Sequence, residues 1–340
     1  MSFPLSCRLL PLALVALSSI ATVAARAGDD APAPTAKWPA KLPVYDHIVI
    51  VFEENKDVEE VIGNAAAPYI NGTLRKEGTV LNKMYGEEHF SEGNYFWLLA
   101  GNDFGMGFLD DIPKKPLTAP NLAEQLLKKG LTFTGYSEDL PAVGSPVEKY
   151  PPGHALYARK HVPWVSFTNI PTNLNVPFTR FPKDPAKFSE LPTVSIVIPN
   201  LVNDMHDGIV TSESVQAGDT WLKANLDAYY QWAKTHNSLL IVTFDENDDK
   251  TGYQGLTNPL VAPYDQFRHD LQNRIPTIIA GAHIKANSEG YNESKGVTHV
   301  NILRTLESMY GLGRSGAQQP NALGAGITDD FLISDIFEEQ

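Results

Sequence analysis

Four short apolar runs that lack polar alternation set the fold class of this chain. His47 to Phe52 reads HIVIVF, and Val194 to Ile198, Leu239 to Phe244 and Ile275 to Ala280 are of the same kind. A strand with one wet face alternates polar and apolar residues, whereas an unbroken β-branched run must be covered on both faces, the condition of a strand inside a parallel sheet. Helical patterns lie between the runs. Asn121 to Lys129 follows Thr118 as a cap and stops at Gly130, and Ser214 to Lys234 spaces Val215, Leu222, Leu226 and Tyr229 at helical intervals. Strands alternating with helices predict an α/β layered fold, with a mainly parallel central sheet flanked by helices. Pro141 to Pro192, dense in proline and aromatic residues, reads as an excursion that caps the site.

The N-terminus has a different character. Arg8 precedes an apolar run from Leu9 to Ala25, interrupted by Pro11 and by Ser18-Ser19, and Ala25-Arg26-Ala27 is a small-x-small cleavage pattern. Residues 1–27 therefore read as a signal peptide, and the protein as exported, periplasmic or secreted. Removal of the leader takes Cys7, the single cysteine, with it, leaving neither a disulfide nor a thiol catalyst. Residues 28–44 are a Pro/Ala-rich linker lying on the surface, and 45–340 form one domain whose capping excursion covers about 135–190. No segment of the mature chain approaches the roughly 20 apolar residues that cross a bilayer. Forty acidic residues against 27 basic ones give a net charge of −13, which excludes a general nucleic-acid binder. An anionic substrate would meet repulsion unless its site concentrates positive charge, most simply as a metal ion.

Ligands of open parallel sheets bind beyond the carboxyl ends of the strands. There the first run ends in Glu53-Glu54-Asn55, the second leads through Pro199-Asn200 to Asp204-Met205-His206-Asp207, and the third ends in Asp245-Glu246-Asn247-Asp248-Asp249. Carboxylates converging on one edge repel one another unless a cation neutralises them. Oxygen-rich ligand sets suit Mg, Ca or Mn, and histidines shift the preference toward Zn or Fe. A fourth element is His89-Phe90-Ser91-Glu92-Gly93-Asn94-Tyr95, where Ser91 stands at a helix start and Gly101 at its stop. A serine there is ordinarily an N-cap, yet a helix N-terminus also offers free N–H groups and a positive dipole end to a phosphate.

Together these pieces resemble the phosphoesterase family of the alkaline phosphatase superfamily, which includes acid phosphatases and phosphatidylcholine-type phospholipases C. Glu54-Asn55 is similar to the family's first metal motif, and His89-x-Ser91-x-x-Asn94-Tyr95 to the pattern around its nucleophile. Asp204-x-His206-Asp207, Asp245-Glu246-Asn247 and Thr298-His299, leading into Asn301 to Glu307, follow in the family's order, and Tyr157 to His161 also looks like a family segment. Phe90 stands where the family has proline, and Glu92-Gly93 replaces an apolar pair.

The resemblance implies one or two divalent metal ions, held by Glu54, Asn55, Ser91, Asp204, His206, Asp245, Glu246 and His299. It further implies Ser91 as nucleophile through a phosphoserine intermediate, with Asn94, His89 and His161 contacting phosphate or protonating the leaving group. The expected activity is that of an acid-phosphatase-type phosphomonoesterase acting on a small-molecule or lipid phosphate ester. Its rivals are a phospholipase C or other phosphodiesterase, and a non-catalytic protein that binds phosphate esters.

Overall fold

The computed structural model describes residues 42–88, 90–106, 112–208, 211–248, 273–290, 296–316 and 332–338. The expected leader, nearly all of the linker, His89, Asp249 and His269 lie outside the described residues.

Twelve strands are described in chain order: β1 (His47–Glu53), β2 (Thr79–Leu81), β3 (Met84–Tyr85), β4 (Phe133–Ser137), β5 (Lys149–Tyr150), β6 (Tyr157–Ala158), β7 (Asn175–Pro177), β8 (Val194–Ile198), β9 (Ser238–Phe244), β10 (Thr277–Gly281), β11 (Ser288–Gly290) and β12 (Val297–Thr298). Eight of them form the central sheet in the order β11-β2-β10-β9-β1-β8-β4-β7, while β3 pairs β12 and β5 pairs β6. From β9 through β1, β8 and β4 to β7 every pairing is parallel. The central β1 has Ile48 to Phe52 buried on both faces, as its unbroken apolar run requires.

The fourth run differs from expectation in direction. Strand β10 is antiparallel to both β9 and β2, because a continuous apolar run reports burial on two faces and carries no signal of polarity. The overall sheet is mixed and mostly parallel.

The helices are α1 (Val58–Val61), α2 (Arg75–Glu77), α3 (Ser91–Ala100), α4 (Leu122–Lys128), α5 (Thr211–Ala233) and α6 (His299–Met309). Successive residues of β1 point to opposite faces. The Phe52 ring meets Tyr95 of α3 and His299 of α6, whereas Glu53 points the other way and feels Asp219 of α5. Asn121, not Thr118, caps α4, its Oδ1 accepting the Glu124 N–H at 2.8 Å. Gly101 ends α3 with φ 63°, a left-handed C-cap that favours glycine.

Leu42, near the end of the expected linker, is buried in the hydrophobic core and not on the surface. The capping excursion is bound down by aromatic packing. Phe178, Phe181 and Phe188 lie against Trp221, Tyr229 and Trp232 of α5. At Gly135 of β4 a Cβ would come within 2.1 Å of the Trp164 ring, so only glycine admits that indole. Among the described residues no helix is long and apolar enough to cross a membrane.

Candidate active site

Strand register brings the acidic loops together. Glu53 of β1 lies level with Phe244 of β9, and the backbone beyond these residues is stitched across all three strand ends. The Glu54 N–H donates to Asp204 O at 2.6 Å, and the Asp245 N–H to Glu53 O at 3.1 Å. Asn55, at φ 48°, turns the chain away from the sheet, a left-handed position that asparagine tolerates better than most residues. Its N–H donates to Asp245 Oδ1 at 3.1 Å.

These turns create a buried group of donors. Single ligand atoms of Glu54, His161 and Asp204 all lie within 4.8 Å of one another, and the three residues are buried. His161 Nε2 stands 3.3 Å from Glu54 Oε1, and Nδ1 stands 4.0 Å from Asp204 Oδ2. Neither approach has hydrogen-bond alignment, and His161 Nε2, Asp204 Oδ2 and Asp245 Oδ2 are buried atoms without a hydrogen-bond partner. Buried polar atoms are normally satisfied. Unpartnered atoms of His161 and Asp204 beside the Glu54 carboxylate have the chemistry of a divalent-cation site.

Ser91 is the first residue of α3 and does not cap it; Phe90 occupies the N-cap and makes no side-chain cap bond. The Ser91 Oγ instead donates to Glu54 Oε2 at 3.1 Å. Phe90 has φ 158°, far from the −65° to which proline is fixed, so its departure from the family's proline is accommodated by the backbone. Tyr95, one turn along α3, donates its hydroxyl to Glu54 Oε1 and stacks on the His161 ring with centroids 5.3 Å apart. Glu54 is thus gripped by two hydroxyls, one per oxygen. Sequence reading had matched Tyr95 to a motif and given it no role.

Two of the expected site residues bond other groups of the chain. Asn94 does not face the phosphate position: its Oδ1 accepts the Glu88 N–H at 3.0 Å and its Nδ2 donates to Glu88 O at 2.8 Å, so both ends of the amide shape the turn that leads into α3. His299 offers no free lone pair, because its Nδ1 bonds Glu87 Oε2 at 2.6 Å and its Nε2 bonds Phe244 O at 2.8 Å. With both nitrogens facing acceptors it is held as an imidazolium. Burial pulls its pKa down, but the Glu87 carboxylate and the Phe244 carbonyl leave it raised overall. Asn55 sets one end of its side-chain amide 3.2, 3.3 and 3.3 Å from carboxylate oxygens of Glu54, Asp245 and Glu246, and so stands among the carboxylates where the resemblance puts a ligand.

The remaining residues lie around the donor group. Glu246 is buried and donates its N–H to Asp245 Oδ1 at 2.7 Å. His206 stands at the solvent edge, its ring 6.4 Å from that of His161. Its N–H donates to Asp204 Oδ1 at 2.8 Å, and its Nδ1 bonds Asp207 Oδ1 at 2.8 Å. Arg304 and Glu307 form a buried ion pair at 2.8 Å that fastens α6, a structural role within the fifth motif. A second acidic group, Asp57, Glu60 and Asp248, includes the N-terminal turn of α1, where Glu60 Oε2 accepts the Asp57 N–H at 3.2 Å. Asp57 is pushed up to about 6, first by burial and then by Asp248.

Glu87 and His161 are the residues whose roles the sequence reading missed. Glu87 precedes the serine motif as one of a pair of glutamates, a signal too common to single out. His161 had been placed at the phosphate, but the structure sets it among the candidate ligands. It arrives from a 3-10 turn in the capping excursion, Arg159–His161.

Electrostatics give the site a pH signature. Burial, followed by repulsion from Asp204 for Glu53 and from Asp245 and Asp204 for Glu54, raises both well above the usual carboxylate range, and burial raises Asp204 likewise. A raised acid contributes stability that is fully present below its unfolded pKa and is lost as pH rises through the folded one. His299 works in the same direction. His161 opposes them, because burial lowers its pKa, so the folded state gains as pH rises through the ordinary histidine value. Three acids and one histidine outweigh the other histidine. The thermal midpoint of the chelated protein is therefore expected to fall between about pH 5 and about pH 8, and a divalent cation to restore it at the upper end. Scanning calorimetry across that range checks this, and a midpoint that rises with pH contradicts it.

The model of the Phosphoesterase family matches residues 65–313. Over 275 residues the chain is 46% identical to a phosphatidylinositol-3-phosphatase of Mycobacterium tuberculosis, covering 81% of this chain and 80% of that protein. It is 29% identical over 278 residues to a phosphate-repressible acid phosphatase of Penicillium chrysogenum, covering 80% of this chain but 60% of the fungal one. Among solved structures, a protein in the alkaline phosphatase superfamily from Vibrio parahaemolyticus superposes with TM-score 0.54 at 13% identity, covering 83% of this chain and 69% of that one. The C-terminal periplasmic domain of EcEptC from Escherichia coli, in complex with Zn, gives TM-score 0.50 at 12% identity, covering 88% and 97%. At such identities the likeness shows the fold alone, that of the alkaline phosphatase superfamily.

Proposed function

This chain belongs to the Phosphoesterase family and hydrolyses phosphoric esters, and from that premise we propose that it is a metal-dependent phosphomonoesterase in which Ser91 is the nucleophile. The observation that carries the proposal is the Ser91 hydroxyl donating to a buried Glu54, beside donor atoms of His161 and Asp204 that lack partners. Glu54, His161 and Asp204 would hold the metal, with Asp245 adjoining. When bound, the ion supplies charge neutralisation and Lewis acidity to the phosphoryl oxygens.

The chain's own groups supply the rest. Glu54 accepts the proton of Ser91 as the serine oxygen attacks phosphorus; the Ser–O–P bond forms, the P–O bond to the alcohol breaks, and the departing alkoxide takes a proton from solvent water. A phosphoryl group on Ser91 lies in the first turn of a ten-residue helix, where free N–H groups and the positive end of the dipole favour a dianion. Tyr95 orients Glu54 and packs against His161, fixing both. His161 stays neutral because burial lowers its pKa, which keeps the lone pair of one ring nitrogen available. Water then attacks the phosphoserine and releases phosphate.

The substrate class suggested by the mycobacterial relative, 46% identical, is a phosphoinositide monoester, and the apolar leader ending at Ala27 supports export. The test is turnover of p-nitrophenyl phosphate and bis(p-nitrophenyl) phosphate on one preparation, before and after chelation. Monoester turnover that chelation abolishes and a divalent ion restores is the expected result. Preferential diester turnover indicates a phosphodiesterase, and full activity without metal overturns metal dependence.

A further inference from the structure

The three acidic loops of the candidate site meet on a buried lysine that no motif and no step of the proposed reaction uses. Lys56 lies just beyond Glu54 and Asn55, and its side chain turns inward until the residue is only 5% exposed. Its Nζ donates to Asn55 O and to Met205 O, each at 2.8 Å, and its backbone N–H donates to Glu246 O at 3.2 Å. One residue thus joins the loops that follow β1, β8 and β9, which carry Glu54, Asp204 and Asp245.

The acceptor on the β8 loop is a strained point of the fold. Met205, next to Asp204, has φ 74°, a left-handed conformation that a bulky side chain disfavours. Its side chain is wedged against α5, where a Cβ on Gly218 would come within 2.5 Å of Met205 Cγ. Strain of this kind persists where neighbours over-determine it, and the bond from Lys56 is one such constraint. The ammonium acts by charge as well. Lysine is almost never fully buried unless paired, and here it stands among carboxylates. Burial raises Glu53 and Asp204, and Lys56 is among the groups that draw each back down.

We propose that Lys56 is a positioning residue of the active site: its ammonium ties the Asp204 loop to the Glu54 loop and supplies a standing positive charge beside Asp204 whether or not a metal is bound. The inference rests on the metal-dependent phosphomonoesterase reading and deepens it by naming a residue that keeps the donor group in shape. An ammonium has no lone pair to offer a metal, so Lys56 acts through Asp204 and Glu54 and is not itself a ligand. Small displacements of such donors are costly to the chemical step, because catalysis depends on the reacting groups being held in place.

The test uses Lys56→Met, which keeps an unbranched apolar stem and deletes the charge and both carbonyl bonds. Thermal midpoints are measured under chelation for the wild type, Lys56→Met, Asp204→Asn and the double variant. Lys56→Met is expected to lower the midpoint by about 5 °C or more in the wild type, and by less than about half of that in the Asp204→Asn background, where the carboxylate it compensates has lost its charge. With a divalent ion and p-nitrophenyl phosphate, kcat of Lys56→Met is expected to fall about tenfold or more while KM stays within about threefold. A lysine that only fills space gives additive midpoints, so an equal or larger drop in the Asp204→Asn background overturns the proposal, as does an unaltered kcat or a loss carried by KM. If Lys56→Met does not fold, folding of the double variant supports the proposal and its failure to fold overturns it. Absence of p-nitrophenyl phosphate turnover in the wild type overturns the phosphomonoesterase reading instead, and the chelated midpoints then decide the role of Lys56.

Discussion

Ser91→Ala is expected to fold, to bind metal, and to lose turnover of a phosphate monoester by at least about 10³-fold, equivalent to about 4 kcal/mol of transition-state stabilisation. The hydroxyl stands in the first turn of α3 and donates to Glu54 Oε2 at 3.1 Å. Removing it deletes the atom that forms the covalent intermediate. The structural cost is small. Ser91 makes no helix cap, since Phe90 occupies that position, and the loss of one buried hydrogen bond amounts to about 1 kcal/mol. Rate and stability therefore separate. Single-turnover kinetics with calorimetry on the same preparation check this, and a folded variant keeping more than about a tenth of wild-type turnover overturns the covalent route.

Asp204→Asn is expected to lose metal affinity and turnover together, by at least about 100-fold, while the metal-free protein becomes more stable above neutral pH. The substitution keeps the shape and preserves an oxygen for the His206 N–H, which Asp204 Oδ1 now accepts at 2.8 Å. It removes the charge whose burial raises Asp204 and which repels Glu53 and Glu54. A carboxylate serving only architecture would give the opposite stability result. Metal content by elemental analysis and the thermal midpoint with and without chelator decide the matter. A variant with wild-type metal content and turnover removes Asp204 from the donor group.

Much of this site was legible before any coordinates. The strand ends bearing Glu54, Asp204 and Asp245 were marked by unbroken apolar runs. Such runs have one physical cause, burial on both faces, and strand register then forces their carboxyl ends side by side. Ser91 was marked by helix formers behind it and by Gly101 at the helix end. The His299 assignment failed because a histidine's place in a motif does not say which acceptors will face its nitrogens, and Glu87 is far from it in sequence. Asn94 failed for a related reason: a side-chain amide beside a turn can bond the local backbone as readily as a ligand.

The sequence by itself determined the layered α/β class, the strand ends that carry chemistry, and the crowding of carboxylates at those ends, because each follows from local periodicity or composition. Only the tertiary structure decided that β10 runs antiparallel and that the capping excursion carries His161 to Glu54 and Asp204. These are contacts between segments distant in the chain, and residue spacing encodes no distance across a fold. They are set by how the aromatic excursion packs on α5, where Phe178 meets Trp221 and Phe181 meets Tyr229, a choice made by shape complementarity over the whole core.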